Sequence, residues 1–163
     1  MTIFIYIFFY LNKLYILDQR KYIMSDKNFE NIKAFLNHPR IAVVSTIKKD
    51  GTSQLSPNWY IYLDGSIYIS TTKNRAKYWN ISRDNRVSLC IYSEPLATDY
   101  VVIEGQCDIL PKQKIFPITE EIVKLYVPKD LVEDRVSQIK KEDRVLLKIT
   151  PDKYLSRSWG SVI

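Results

Sequence analysis

A hydroxyl-rich segment followed by closely spaced cations is the part of this sequence best suited to hold a ligand. Ser70, Thr71 and Thr72 end a β-branched run, and the segment from Lys73 to Arg86 has five basic residues against one acidic residue, a local charge of +4. Strand-end hydroxyls, helix N-terminal N–H groups and a cationic side chain together suit a phosphate monoester. The spacing alone leaves two interpretations open, a phosphate site and a solvated basic turn. The polar constellation runs from Ser70 to Asn80 and includes Arg75 and Lys77.

Few other residues have side chains suited to catalysis or ligand binding. The segment Asn58-Trp59-Tyr60 could stack on a planar ring, although aromatic residues on a strand more often belong to a core. His38 is the single histidine and precedes a proline in a predicted turn, while Cys90 and Cys107 fall within predicted strands. This inventory excludes a zinc site of the usual His/Cys kind within one chain, and no metal is expected. Redox or group-transfer chemistry would therefore come from a bound cofactor.

Length and composition indicate one globular domain without a nucleic-acid partner. The chain has 163 residues, of which 46% are hydrophobic and 26% charged, and its net charge is +6. Three of the 24 basic residues and one of the 18 acidic residues lie in residues 1–23, which leaves +4 on residues 24–163. This charge is mild, and the basic residues cluster in one turn instead of alternating with aromatic residues on a sheet face.

The N-terminal segment stands apart from the rest of the chain. Its unbroken apolar run, Ile3 to Leu11, is well short of the roughly 20 residues that a membrane span needs, and it lacks signal-peptide features. Met24 opens a sequence typical of a natural start, so we interpret residues 1–23 as a mis-called or extended N-terminus. The alternative is a membrane-associating or interface helix. We expect a cytoplasmic protein with residues 24–163 as its single domain.

The elements that position these residues are mostly short strands. Asp-Gly turns at residues 50–51 and 64–65 separate the first three strands, and Pro57 requires a bulge or an edge position in the second. Helical spacing occurs before the first strand, in the basic segment, and twice between the last two strands. We predict a small antiparallel barrel with α+β decoration. The six predicted strands are residues 41–47, 52–63, 66–71, 86–92, 100–110 and 145–154, and the predicted helices are 26–36, 73–83, 118–126 and 131–140.

Three motifs in this order resemble the pyridoxamine 5′-phosphate oxidase-like superfamily. They are S-T-x-x-x-D-G at Ser45 to Gly51, S-P-x-W at Ser56 to Trp59, and R-x-K-x-x-N-I-x-R-D-x-R-V-S-L at Arg75 to Leu89. The resemblance covers residues 38–110, with a last strand at 145–154. It implies a mainly β fold, the six-stranded antiparallel split β-barrel of the FMN-binding type with short flanking helices.

The resemblance also implies a cofactor and its ligands. The third motif is most similar to the branch that binds the deazaflavin coenzyme F-420, and FMN is the alternative. A homodimer with the cofactor at the subunit interface is expected, with Trp159 of the partner closing the site. The implied ring-lining residues are Ser56, Pro57, Asn58 and Trp59; the implied phosphate-binding residues are Ser70, Thr71, Thr72, Arg75 and Lys77; Asn80 completes the predicted cofactor-binding set.

The implied function is an oxidoreductase that transfers hydride to or from a small planar substrate. No residue is assigned as catalytic, because the protein would supply binding and orientation. The chain ends LSRSWGSVI and lacks the R-L-x-P substrate motif of true pyridoxamine-phosphate oxidases, which argues against that particular reaction. The alternative function is a non-catalytic flavin or haem carrier or sensor on the same barrel.

Overall fold

The computed structural model of the protein describes residues 26–157, with side chains from residue 29 onward. The predictions for residues 1–23 and for Trp159 lie outside this range. The chain divides into two compact units after Asn31, and the second carries the sheet. The helices are α1 (Asp26–Leu36), α2 (Ala76–Arg83), α3 (Ile115–Tyr126) and α4 (Val132–Ile139); the strands are β1 (Ala42–Ile47), β2 (Ser53–Asn58), β3 (Ile61–Leu63), β4 (Ser66–Thr72), β5 (Arg86–Tyr92), β6 (Tyr100–Leu110) and β7 (Arg144–Arg157).

The seven strands form one antiparallel sheet in the order β2-β1-β5-β6-β7-β4-β3. Its two edge strands, β2 and β3, are consecutive in the chain and are joined by Trp59 and Tyr60 alone. Three Cα–Cα steps reach no more than about 11 Å, so the sheet must curl until its edges approach each other. The predicted split β-barrel is therefore confirmed, as a curled half-barrel with short helices.

The number of strands differs from the prediction, because the chain breaks at Trp59-Tyr60 where one strand was expected. Tyr60 is 1% exposed, and its hydroxyl donates to the carbonyl oxygens of Leu36 at 3.1 Å and His38 at 3.2 Å. Anchoring this side chain in the core redirects the backbone from one edge of the sheet to the other. Seven strands result instead of six.

Proline and glycine mark the irregular positions of the sheet. Pro57 lies opposite Val43 on an edge strand without a register shift, so the edge alternative is correct and the bulge alternative is wrong. The register shift falls between Glu104 and Gly105, opposite Pro151, which cannot donate to the ladder. A Cβ at Gly105 would stand 2.2 Å from the carbonyl oxygen of Thr150, so only glycine fits there.

The core is formed by buried residues of the strands and of helix α3. Strand β1 alternates buried and half-buried residues, while β7 buries Val145 to Leu147 and Ile149. Helix α3 packs on β4 and β7 and buries Ile122 and Val123. Cys90 and Cys107 lie on β5 and β6, as predicted, and burial raises the pKa of the Cys107 thiol to about 12. In residues 26–157, no helix is long and apolar enough to cross a bilayer.

The helices after β6 start and stop close to their predicted limits. Helix α3 begins at Ile115, three residues before the prediction, because Pro117 lies in its first turn, where a missing backbone donor is tolerated. Helix α4 spans Val132–Ile139 within the predicted 131–140. Pro151 lies inside β7, as it does in the predicted last strand, 145–154.

Candidate functional site

A cleft of about 1090 Å³ opens where strand β2, the end of β4, the start of α2 and the start of β7 come together. It unites two segments that are more than ten residues apart in the sequence. One segment belongs to edge strand β2, and the other begins on β4, the neighbour of edge strand β3. Nine of the ten predicted cofactor-binding residues line this cleft: Ser56, Pro57, Asn58, Trp59, Ser70, Thr71, Thr72, Arg75 and Lys77.

Asn80 is the predicted site residue that does not line the cleft. It is 7% exposed, and its Nδ2 donates to Thr46 Oγ1 on β1 at 3.0 Å. Its side chain thereby ties α2 to the sheet. A cofactor contact for Asn80 stays a prediction.

The connection from β4 to α2 presents its backbone and cations at one end of the cleft. Lys73 N donates to the Asp143 carbonyl at 3.1 Å, and its ammonium pairs with the Asp143 carboxylate at 3.2 Å. Arg75 is the extended N-cap residue of α2, and among the described residues no side chain caps this helix. The positive end of the helix dipole and the exposed Arg75 guanidinium therefore favour an anion at this position.

Lys77 joins the two halves of the cleft. Lys77 is 8% exposed, and its Nζ donates to Asn58 Oδ1. Asn58 Nδ2 donates in turn to the Ser56 carbonyl at 2.7 Å. Burial, together with the neighbouring Arg75 charge, lowers the pKa of Lys77 to about 8. An ammonium group has three donors, so Lys77 can hold Asn58 and an anion at the same time.

Several cleft residues were missed by the sequence prediction. The most buried cation among them is Arg144, the first residue of β7, which is paired in register with Thr72. Its Nη1 donates to Ser70 Oγ at 3.2 Å, and its Nη2 lies 2.9 Å from Glu142 Oε2. Arg144 reaches the cleft through the pairing of β7 with β4, and no local sequence pattern indicates this position. The other missed lining residues are Ile41, Gln54, Asn74, Ala76, Arg135, Glu142 and Asp143.

Trp59 forms an aromatic wall that α3 supports. Its ring stacks on Tyr126 with centroids 5.2 Å apart and planes 8° from parallel, and the residue remains 38% exposed. The Tyr126 hydroxyl donates to the carbonyl oxygens of Arg40 at 2.7 Å and Tyr60 at 3.1 Å. The segment 111–140, to which no role was assigned from sequence, thus positions one of the predicted ring-lining residues.

The cleft combines a cationic end with an aromatic wall. Within residues 26–157, no group of three or more His, Cys, Asp or Glu side chains could hold a metal ion. The geometry can bind an anionic group at the start of α2 and a flat group beside Pro57 and Trp59. These features define the unit as a split β-barrel with a cleft lined by cationic and aromatic side chains.

The family of the chain follows from its sequence match. The pyridoxamine 5′-phosphate oxidase family model matches residues 29–158, so the chain belongs to this family. The resemblance drawn from the three motifs is thereby confirmed. No curated protein matches the chain by sequence.

Solved structures extend the comparison. A conserved hypothetical protein from Mycobacterium tuberculosis is 25% identical with a TM-score of 0.69, covering 84% of this chain and 86% of that chain. An F-420 reductase is 21% identical with a TM-score of 0.60, covering 76% and 94%. HutZ, the haem storage protein from Vibrio cholerae, is 12% identical with a TM-score of 0.63, covering 80% and 95%. The last two likenesses extend to the fold alone.

Proposed function

We propose that the cleft binds a flavin-type nucleotide and that the protein is an oxidoreductase transferring hydride to or from a small planar substrate. The single observation that carries this proposal is the junction at Lys77. This buried cation faces the predicted phosphate end and is hydrogen-bonded to Asn58 of the predicted ring end. The deazaflavin coenzyme F-420 is the favoured cofactor, and FMN is the alternative.

The residues of the cleft fit such a group at both ends. Arg75, Lys77 and the hydroxyls of Ser70 to Thr72 supply charge and hydrogen bonds for a phosphate monoester. Pro57 and Trp59 supply flat apolar surface for a tricyclic ring. A volume of about 1090 Å³ accommodates a ligand of this size with room for a small substrate.

The chemistry divides between the cofactor and the chain. When bound, the flavin-type ring supplies hydride transfer. Arg75 and Lys77 fix the phosphate, Asn58 hydrogen-bonds the ring edge, and Trp59, held against Tyr126, limits the access of water to the ring face. This division requires no general base from the chain, in agreement with the absence of an assigned catalytic residue.

The preference for F-420 over FMN rests on two independent points. The motif from Arg75 to Leu89 is most similar to the F-420-binding branch, and an F-420 reductase is among the solved structures of the same fold. Both cofactors place a tricyclic ring on a ribityl phosphate, so the described cleft serves either one.

Titration with F-420 and FMN, followed by ligand fluorescence anisotropy, tests this proposal. We expect both to bind and F-420 to bind more tightly. Lys77→Ala should weaken binding by roughly 1.5–3 kcal/mol, because a charge-assisted hydrogen bond is lost. Lys48→Ala is the matched control, since Lys48 is half-exposed, pairs with Asp50 in the turn between β1 and β2, and does not line the cleft. Equal losses in the two variants would remove Lys77 from the site, and failure of both ligands to bind would overturn the proposal.

The second candidate function is a non-catalytic carrier or sensor of flavin or haem. The specific support is that HutZ, a haem storage protein, shares the fold. A haem titration followed in the Soret band tests the haem form of this candidate. Oxidation of reduced F-420 or FMN in the presence of quinone-like acceptors separates an enzyme from a flavin carrier, because a carrier binds without turnover.

We also propose that the protein is a homodimer with the cofactor at the subunit interface. The cleft is open to solvent, and it lies beside edge strand β2, on which Leu55 is 64% exposed. A second copy covering this edge would bury both features. The cytoplasmic localisation stays a prediction.

A further inference from the structure

Arg144 is a cleft residue whose hydrogen-bonding capacity is only partly used. Its side chain is 10% exposed. Nη1 donates to Ser70 and Nη2 pairs with Glu142, while the buried Nε has no hydrogen-bond partner among residues 26–157. A buried guanidinium donor without an acceptor is costly. Nη2, the donor that Glu142 holds, is the part of this guanidinium that a ligand in the cleft can take over.

Ser70 has a complementary property. Its Oγ accepts one hydrogen bond from Thr119 Oγ1 at 2.8 Å and a second from Arg144 Nη1 at 3.2 Å. A hydroxyl oxygen has two acceptor positions and one donor hydrogen. Because both acceptor positions are used, the hydrogen of Ser70 is available to donate. Arg144 and Ser70 thus form a pair of adjacent donors on the cleft wall.

The charges around this pair favour an anion. Burial lowers the pKa of the Arg144 guanidinium, the adjacent Glu142 carboxylate opposes this shift, and the charges of Arg135 and Arg75 add to it. Asp143 is engaged with Lys73, so Glu142 is the acidic cleft residue that neutralises Arg144. Glu142 therefore occupies Nη2 of the same guanidinium that an anionic ligand would approach.

We infer that Arg144, together with Ser70, contacts the same ligand phosphate as Arg75 and Lys77, and that Glu142 is an internal counter-ion which this phosphate displaces from Arg144. This inference rests on the proposed function only in placing a phosphate ligand in the cleft. It holds for any phosphate monoester that binds there. Glu142 thereby sets the affinity for anions, and its removal strengthens binding.

The test compares FMN with riboflavin, which has the same ring without the phosphate. Glu142→Gln should tighten FMN binding about three- to tenfold and leave riboflavin binding unchanged, because only the competition for Arg144 is removed. Arg144→Gln should weaken FMN binding at least tenfold, again without an effect on riboflavin. Glu120→Gln is the matched control, since Glu120 pairs with Lys124 on α3 and does not line the cleft. Unchanged or weaker FMN binding in Glu142→Gln would overturn the inference.

A second measurement separates this inference from the flavin proposal. If the wild-type protein binds neither F-420 nor FMN, the flavin proposal fails, and the Arg144–Ser70 pair is then tested with inorganic phosphate. We expect 50 mM phosphate to raise the melting temperature above that in chloride of equal ionic strength. Glu142→Gln should enlarge this shift. Equal melting temperatures in phosphate and chloride for both the wild type and Glu142→Gln would overturn the inference, even where Arg144→Gln fails to fold.

Discussion

At the scale of single residues, Lys77 both carries a positive charge in the cleft and holds Asn58 in place. Its ammonium is buried, is hydrogen-bonded to Asn58 and has a pKa lowered to about 8. Its protonation state therefore changes within the range of ordinary assays. A neutral amine would hold Asn58 less strongly and would not attract a phosphate.

The affinity for a phosphate ligand should depend on pH through this residue. Below its pKa of about 8, Lys77 is charged and supports the phosphate; as pH rises through that value, the charge is lost and affinity falls. We expect the FMN dissociation constant to rise about tenfold from pH 7 to pH 9. Riboflavin binding, measured by the same fluorescence titration, should change little over this range. An identical pH dependence in Lys77→Met would show that another group is responsible.

The residues that sequence predicted are those that lie close together in the chain. Ser70 to Lys77 form one continuous strand-to-helix connection, so their spacing made them candidates for a phosphate site, and the family resemblance favoured that interpretation over a solvated basic turn. Arg144 and Thr119 reach the same point through strand pairing and helix packing. No local pattern indicates such partners. The prediction therefore contained the cleft residues on β2, β4 and α2 and missed those that β7 and the helices before it bring in.

At the scale of elements, β6 and β7 form a long antiparallel ladder with a register shift next to Gly105. This position requires glycine. Gly105→Ala would place a Cβ 2.2 Å from the Thr150 carbonyl oxygen. We expect a loss of about 1–3 kcal/mol in the free energy of unfolding, measured by urea denaturation, because the backbone must move apart. Gly51→Asn is the control: its φ is +82° with open space around it, and asparagine tolerates that conformation. Equal stabilities of the two variants would contradict the close approach at Gly105.

Helix α3 supports Trp59 through Tyr126. Two substitutions separate the ring stacking of Tyr126 from its hydroxyl hydrogen bonds. Tyr126→Phe keeps the stack on Trp59 and removes the hydrogen bonds to Arg40 and Tyr60. We expect a loss of about 1–2 kcal/mol in unfolding free energy, with flavin affinity nearly unchanged. Tyr126→Leu also removes the stack, so flavin affinity should fall as well. If the phenylalanine variant loses as much affinity as the leucine variant, the stack is not what positions Trp59.

The elements were largely predictable because turns and β-branched runs are local signals. Strands β5 and β6 and helix α1 have the predicted limits, and Asp50-Gly51 and Asp64-Gly65 form the expected turns. The break at Trp59-Tyr60 was missed, because it depends on the burial of Tyr60 against carbonyl groups of Leu36 and His38. That burial is a tertiary interaction without a local sequence signal.

At the scale of the whole molecule, the curled sheet brings edge strand β2 and strand β4, the neighbour of edge strand β3, to one cleft. If a second copy completes this cleft, the particle in solution should have twice the 19.2 kDa chain mass. Light scattering coupled to size-exclusion chromatography measures this mass directly. Leu55→Glu, which places a charge on an exposed edge-strand position, should shift the protein toward monomer and weaken cofactor binding. A monomer that binds cofactor with full affinity would contradict an interfacial site.

The most direct test of the central claim is a crystal structure of the protein bound to F-420 or FMN. The account predicts the ribityl phosphate within hydrogen-bond distance of Lys77 Nζ and the Arg75 guanidinium, and the ring against the Ser56–Trp59 segment. A bound cofactor whose phosphate contacts neither Lys77 nor Arg75, or whose ring lies outside the cleft, would contradict it.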